Sequence, residues 1–294
     1  MPISDLVVET FLLLRDTFFD RDGMPIPFRL REKRNTQDDP FDEYIANILS
    51  SELKDSVCQK SPGPLISPDL TVYRPEFCNN IPRGALKSDT TRIVAIEVKK
   101  LERIKGKIAR ASGMDYNSTP PCGTVRIYDS HDKPLDVRGF YLFVAQEKMP
   151  KGNKYILSAL ALCDGDALND DFDFYLKITG QRSKEIGLGT YGDGINRVRP
   201  MLVFSNPLGA PQFDRAATLI NQQEATDGRI GLVFRLRRSA DKDQYREFFA
   251  YRKTSDIQPD WNIEVLDDPF PQPEKRVETT QSRGKFVVQI SPNE

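Results

Sequence analysis

The run Ile93-Val94-Ala95-Ile96-Glu97-Val98-Lys99-Lys100 constrains the fold more than any other stretch of this chain. It is short, apolar and β-branched up to its end, the pattern of a buried strand, and it finishes on two charged side chains separated by one residue. Strand alternation puts Glu97 and Lys99 on one face and Val94, Ile96 and Val98 on the other. An acid and a base at the open end of a core strand, joined by an aspartate from a neighbouring segment, have the composition of a site for a hard cation beside a water.

The segments around that strand read as its partners and its cover. Leu6 to Phe19 carries apolar residues close to the helical period and predicts an amphipathic helix ending near Asp20-Arg21-Asp22-Gly23. Arg29 to Arg34 reads as a basic arm. Phe41 to Leu53 predicts a second helix with Tyr44, Ile45, Ile48, Leu49 and Leu53 on one stripe. Leu70 to Tyr73 is a short strand, and Thr124 to Tyr128, Gly139 to Gln146 and Tyr155 to Leu162 complete a central sheet. Past residue 165 the texture turns acidic and then glycine-rich, with strands expected at Met201 to Phe204, Ile230 to Leu236, Glu247 to Tyr251 and Lys285 to Ile290. The expected class is α/β: a central β-sheet flanked by helices in residues 1–165, followed by a β-rich C-terminal extension in residues 166–294.

Composition removes several functions. The chain has 294 residues, 38% of them hydrophobic and 29% charged, enough for a sizeable core. No apolar run approaches the ~20 residues of a membrane span, so the expectation is a soluble protein with no membrane partner. Acid at Asp5 and the interruptions at Glu9, Arg15 and Asp16 argue against a signal peptide. Cys58, Cys78, Cys122 and Cys163 stand far apart with no CxxC pair, which suits free thiols in a cytoplasmic setting. The single histidine, His131, sits in a turn-like polar run, excluding multi-histidine zinc sites and reading as a solvated loop residue. The net charge of −1 is not that of a protein that coats nucleic acid indiscriminately, although it allows a local basic face. Gly187-Leu188-Gly189-Thr190-Tyr191-Gly192 matches GxGxxG but follows no buried strand and opens no helix. It reads as a loop, and no nucleotide cofactor is expected.

Pro68-Asp69, an interval of 27 residues, and then Glu97-Val98-Lys99 resembles the PD-(D/E)xK nuclease superfamily, whose shared core is a mixed sheet flanked by helices. The resemblance covers residues 40 to 165. It implies that Asp69, Glu97 and the main-chain carbonyl of Val98 hold a Mg²⁺ ion, and that Lys99 positions the attacking water and favours its hydroxide form. A further acid from the preceding helix, Glu43 or Glu52, is a candidate to join them. The chain's size, the polar loop Asn117 to Gly123 and the long C-terminal part look like a type II restriction endonuclease acting on double-stranded DNA as a homodimer, because a symmetric site needs two related active sites. The basic residues Lys100, Arg103, Lys105, Lys107 and Arg110, on helix or loop, would neutralise phosphates, and Asn117, Ser118 or Arg126 would reach base edges. Two alternatives stay open: a repair or recombination nuclease of the same superfamily that recognises DNA structure, and a non-enzymatic nucleic-acid-binding protein.

Overall fold

The computed structural model describes residues 4–35, 38–63, 66–79, 81–104, 107–109, 123–150, 152–179, 211–239, 243–269, 287–290 and 292. The elements in chain order are α1 (Leu6–Phe18), β1 (Phe28–Arg29), α2 (Pro40–Glu52), β2 (Val57–Lys60), β3 (Leu70–Tyr73), α3 (Pro75–Cys78), β4 (Ile93–Ile104), β5 (Lys107–Ala109) and β6 (Thr124–Tyr128). They continue with β7 (Pro134–Lys148), β8 (Lys154–Asp164), α4 (Gly165–Thr179), β9 (Ala217–Asn221), β10 (Ile230–Ser239), β11 (Tyr245–Lys253) and β12 (Glu264–Pro269). The protein is α/β, a large mixed sheet flanked by few helices.

Among the described residues the sheet has 12 strands, in the order β12-β10-β11-β9-β8-β7-β4-β3-β2, with β1 on β8, β5 on β4 and β6 on β7. The strand that dominates the sequence lies inside it. β3 pairs antiparallel with one side of β4, Leu70 opposite Ile96, and β7 pairs parallel with the other, Val98 opposite Leu142. The sheet continues through residue 165, since β8 and β9 lie side by side in parallel, Leu160 opposite Ala217.

Alternation along these strands sorts two apolar layers. Val94, Ile96 and Val98 join Leu142, Val144, Leu160 and Leu162 in one layer, covered by α1 through Phe11, Leu14 and Phe18 and by α2 through Phe41, Ile45 and Leu49. Tyr141, Phe143, Ala161 and Cys163 face the opposite side, where Ala167 and Leu168 of α4 pack. Ile93 and Ala95 lie in a third cluster with Ile127 and Val137. Both long N-terminal helices begin at aspartate caps that satisfy otherwise unbonded amides: Asp5 accepts from Val7 N–H at 2.8 Å and Asp39 from Phe41 N–H at 3.1 Å, with Pro40 opening α2.

Several expectations shift. β4 runs on to Ile104 and turns back through β5, so Arg103 and Lys107 stand on a strand hairpin rather than on a helix or loop. β9 and β12 had no counterpart in the sequence reading. The segment Met201 to Phe204 and the glycine-rich motif at residues 187–192 lie outside the described residues, as do Cys122, Lys105, Arg110, Asn117 and Ser118. Of Lys285 to Ile290, Val287 forms a bridge beside Tyr128.

Candidate active site

The site grows from the start of β3 and the middle of β4. Continuing the antiparallel register one step from Leu70 opposite Ile96 sets Asp69 opposite Glu97. The Asp69 carboxylate does not point into solvent: its Oδ2 accepts a hydrogen bond of 2.7 Å from the main-chain N–H of Val98. Lys99 Nζ donates to Glu97 Oε1 at 3.0 Å, and Ser67 Oγ donates to the other oxygen, Oε2, at 3.0 Å. Both charged side chains of this pair are largely shielded, 14% exposed at Lys99 and 12% at Glu97, so their attraction is screened less than on an open surface. Asp69, Glu97 and Lys99 therefore meet where the start of β3 lies against the middle of β4.

Lys100 follows the opposite alternation. It crosses to α2, where its ammonium pairs with Asp39 and with Asp42, the latter at 3.3 Å, and lies 5.8 Å from the centre of the Phe41 ring. Its charge is thus balanced at the head of α2. Arg126 on β6 is exposed and bonded to Asp136 at 2.9 Å.

The helix acids named from the sequence, Glu43 and Glu52, stand in other surroundings. Glu43 is bound to Arg31, which holds its carboxyl below the usual carboxylate range, and Glu52 is exposed at the end of α2. The acid that α2 does contribute is Asp42, only 7% exposed. Burial pushes its carboxyl well above the ordinary carboxylate value, and the charges of Asp69 and Glu97 add to that push while Lys60 and Lys99 oppose it. Sequence reasoning missed this residue. The available signal was its helical spacing: Asp42, Ile45 and Leu49 stand at i, i+3 and i+7 on the face that α2 buries.

Three carboxylates, Asp42, Asp69 and Glu97, influence one another electrostatically beside three lysines, Lys60, Lys99 and Lys100. Their all-oxygen donor chemistry fits a hard divalent cation, and the mutual repulsion felt at Asp42 is what such a cation would offset. Among the described residues, no group of three or more histidine, cysteine, aspartate and glutamate side chains is drawn together tightly enough to hold an ion as it stands. In this arrangement Lys99 and the Val98 amide occupy the acceptors of Glu97 and Asp69.

No protein-family model, curated protein or solved structure matches the chain. No helix among the described residues is long and apolar enough to cross a membrane.

Proposed function

We propose that the protein is a Mg²⁺-dependent DNA endonuclease of the PD-(D/E)xK type, and within it a type II restriction enzyme that works as a homodimer on double-stranded DNA. The observation that carries the reading is the 2.7 Å hydrogen bond from Val98 N–H to Asp69, which fastens the aspartate of the Pro68-Asp69 pair to the residue between Glu97 and Lys99. The mixed sheet with α2 packed against it agrees with the core that the superfamily shares.

Asp69 and Glu97, with the carbonyl of Val98 and with Asp42 from α2, would hold the metal, which supplies positive charge against the phosphorane-like transition state and lowers the pKa of a bound water. Lys99 would orient that water, a role supported by its ammonium being tethered at 3.0 Å to Glu97 and mostly shielded. Asp69 is held by a main-chain donor on a core strand rather than on a loop, the kind of rigid support that precise positioning needs. The roles of Lys100 and Arg126 as DNA contacts are weaker candidates, because carboxylates of the same chain already balance both.

The test is direct. Purified protein incubated with mixed-sequence DNA gives a discrete banding pattern with Mg²⁺ and none with EDTA, and Glu97→Ala and Lys99→Ala each abolish it. If both variants cut as well as the parent, the site assignment is wrong. Degradation that follows branches or nicks rather than sequence would point to the structure-specific alternative.

A further inference from the structure

A second site is built where α1 ends, β9 begins and β11 finishes. There a cavity of about 450 Å³ is lined by four arginines, Arg15, Arg21, Arg215 and Arg252, against only two acids, Asp22 and Asp256. The four are not equivalent. Arg15 is buried and fully matched, its Nε and Nη2 donating to the two oxygens of Asp256 at 2.7 and 2.6 Å and its Nη1 to the Phe19 carbonyl at 3.2 Å. This consumes Asp256, the better placed of the two acids.

Arg252 has no such match. Its guanidinium lies 5.6 Å from the ring centres of both Phe234 and Trp261, and among the described residues its Nη2 donates to the Gln212 carbonyl at 2.7 Å while its Nε, buried, meets no acceptor. No carboxylate among the described residues is hydrogen-bonded to it; burial lowers its pKa from the ordinary arginine value, and the charge of Asp256 opposes that shift only in part. Arg21 and Arg215 are exposed at the rim and make no hydrogen bond or ion pair through their side chains among the described residues. Arg215 also holds φ at +52°, in the left-handed region that a side chain rarely adopts, with its N–H fixed to the Ser158 carbonyl. Strain of this kind persists only where the surroundings enforce it, and here it sets a cation on the lip of the cavity.

We propose that this cavity is a binding site for a phosphate ester, with Arg252 as the half-buried fork and Arg21 and Arg215 closing on the phosphate oxygens. Planar guanidinium forks match phosphate geometry in a bidentate manner, and a volume of about 450 Å³ holds more than the bare ion. The position allows the ester to belong to DNA. Lys100 on β4 is in register with Val144, Val144 with Leu160 and Leu160 with Ala217, a wall residue of the cavity. Three strand spacings, about 14 Å, separate β9 from β4 along the same end of the sheet. The site does not depend on the nuclease reading, because phosphate would bind whether or not Glu97 and Lys99 do chemistry.

The experiment is calorimetric titration of the full chain, in EDTA, with inorganic phosphate, a deoxynucleoside 5′-monophosphate and a short DNA duplex. The chosen variant is Arg21→Ala with Arg215→Gly, since glycine accepts the positive φ without strain and neither side chain carries a contact that the fold needs. One saturable site for inorganic phosphate is expected, weakened at least tenfold in this double variant and likewise in R252K, which keeps the charge but loses the fork. Duplex binding that weakens in parallel assigns the ester to the DNA backbone; weakening confined to phosphate and the monophosphate assigns it to a free phosphate ester. Absence of saturable phosphate binding, or equal affinity in the double variant, overturns the proposal. Glu97→Ala, which removes a proposed metal ligand, leaves phosphate binding unchanged, so the two readings fail separately.

Discussion

The carboxylate of Asp69 accepts a 2.7 Å hydrogen bond from the main-chain N–H of Val98, the residue that separates Glu97 from Lys99. The bond separates two properties of Asp69 that a substitution can divide. Asn offers an amide oxygen to the same N–H but carries no charge, so Asp69→Asn keeps the local fold and loses the anionic ligand. The expected outcome is a melting temperature within a degree or two of the parent and a DNA cleavage rate at least about 100-fold lower, since charge stabilisation by a bound metal is worth several kcal/mol and each 1.36 kcal/mol is a factor of ten. Thermal melts and cleavage time courses on the same preparations check both halves.

Asp42 makes a complementary case, because its buried carboxylate is repelled by Asp69 and Glu97. Removing that charge in Asp42→Asn relieves repulsion, while Lys100 retains Asp39 as a partner. In EDTA the variant is expected to melt at or above the parent's temperature. On the proposed function, excess Mg²⁺ is expected to bind the folded state and raise the parent's melting temperature by mass action, with a smaller increment in the variant. Cleavage is expected to fall at the same time, the usual opposition of stability and activity at a crowded charged site. A melt that rises with Mg²⁺ equally in both proteins would remove Asp42 from the metal site.

How legible the molecule was depends on whether local pattern or tertiary docking decided each feature. Ile93 to Val98 and the two N-terminal helices were legible because β-branching and helical spacing are properties of the segment itself. β7 was read eight residues long, Gly139 to Gln146, yet begins at Pro134, because Leu135 and Val137 alternate with polar residues where β6 pairs with it. β9 was missed: five residues give little pattern, and its buried state comes from parallel pairing with distant β8. At the site, Asp69, Glu97 and Lys99 could be named because the motif spaces them. Asp42 is harder to name: its spacing sets it on the buried stripe of α2, but an aspartate in a helix is ordinarily solvated and only the docking of α2 onto the sheet buries this one.

Asp129 gives a stability prediction with a definite pH sign. Its side chain is inaccessible to solvent and pairs with Arg83 while accepting from the N–H groups of His131 at 2.8 Å and Lys133 at 2.9 Å, closing the turn between β6 and β7. Burial alone would raise its pKa, but the Arg83 bond and the two amides outweigh burial and the net value lies below the ordinary carboxylate value. A depressed folded-state pKa stabilises the fold above the unfolded value, and that contribution is lost as pH falls through the lower folded value. Asp129→Asn is therefore expected to cost about 2 kcal/mol at neutral pH, the scale of hydrogen bonds to a charged group, and progressively less under acid. Urea midpoints of parent and variant, measured from neutrality down to about pH 3, should converge; a constant gap would mean that the Asp129 charge does not matter.

Within the C-terminal part of the chain, α4 is joined to β10 by a pair with no access to water. Arg238 on β10 donates through Nε to Asp171 of α4 at 2.8 Å, with side-chain exposures of 0% and 1%. Such a pair must regain in mutual attraction what both ions lost in hydration, so cutting it on one side does more harm than removing it whole. Asp171→Ala removes the charge partner of a buried guanidinium and is expected to destabilise by about 3–5 kcal/mol. The double variant Asp171→Leu with Arg238→Met replaces both ions by apolar bulk and should fall within roughly 2 kcal/mol of the parent, in either direction. Chemical denaturation of the two single variants and the double variant decides it. If the double variant is as unstable as Asp171→Ala, the pair has net attraction beyond its desolvation, and α4 is held to β10 by charge rather than by the packing of Ala167 and Leu168 against the sheet.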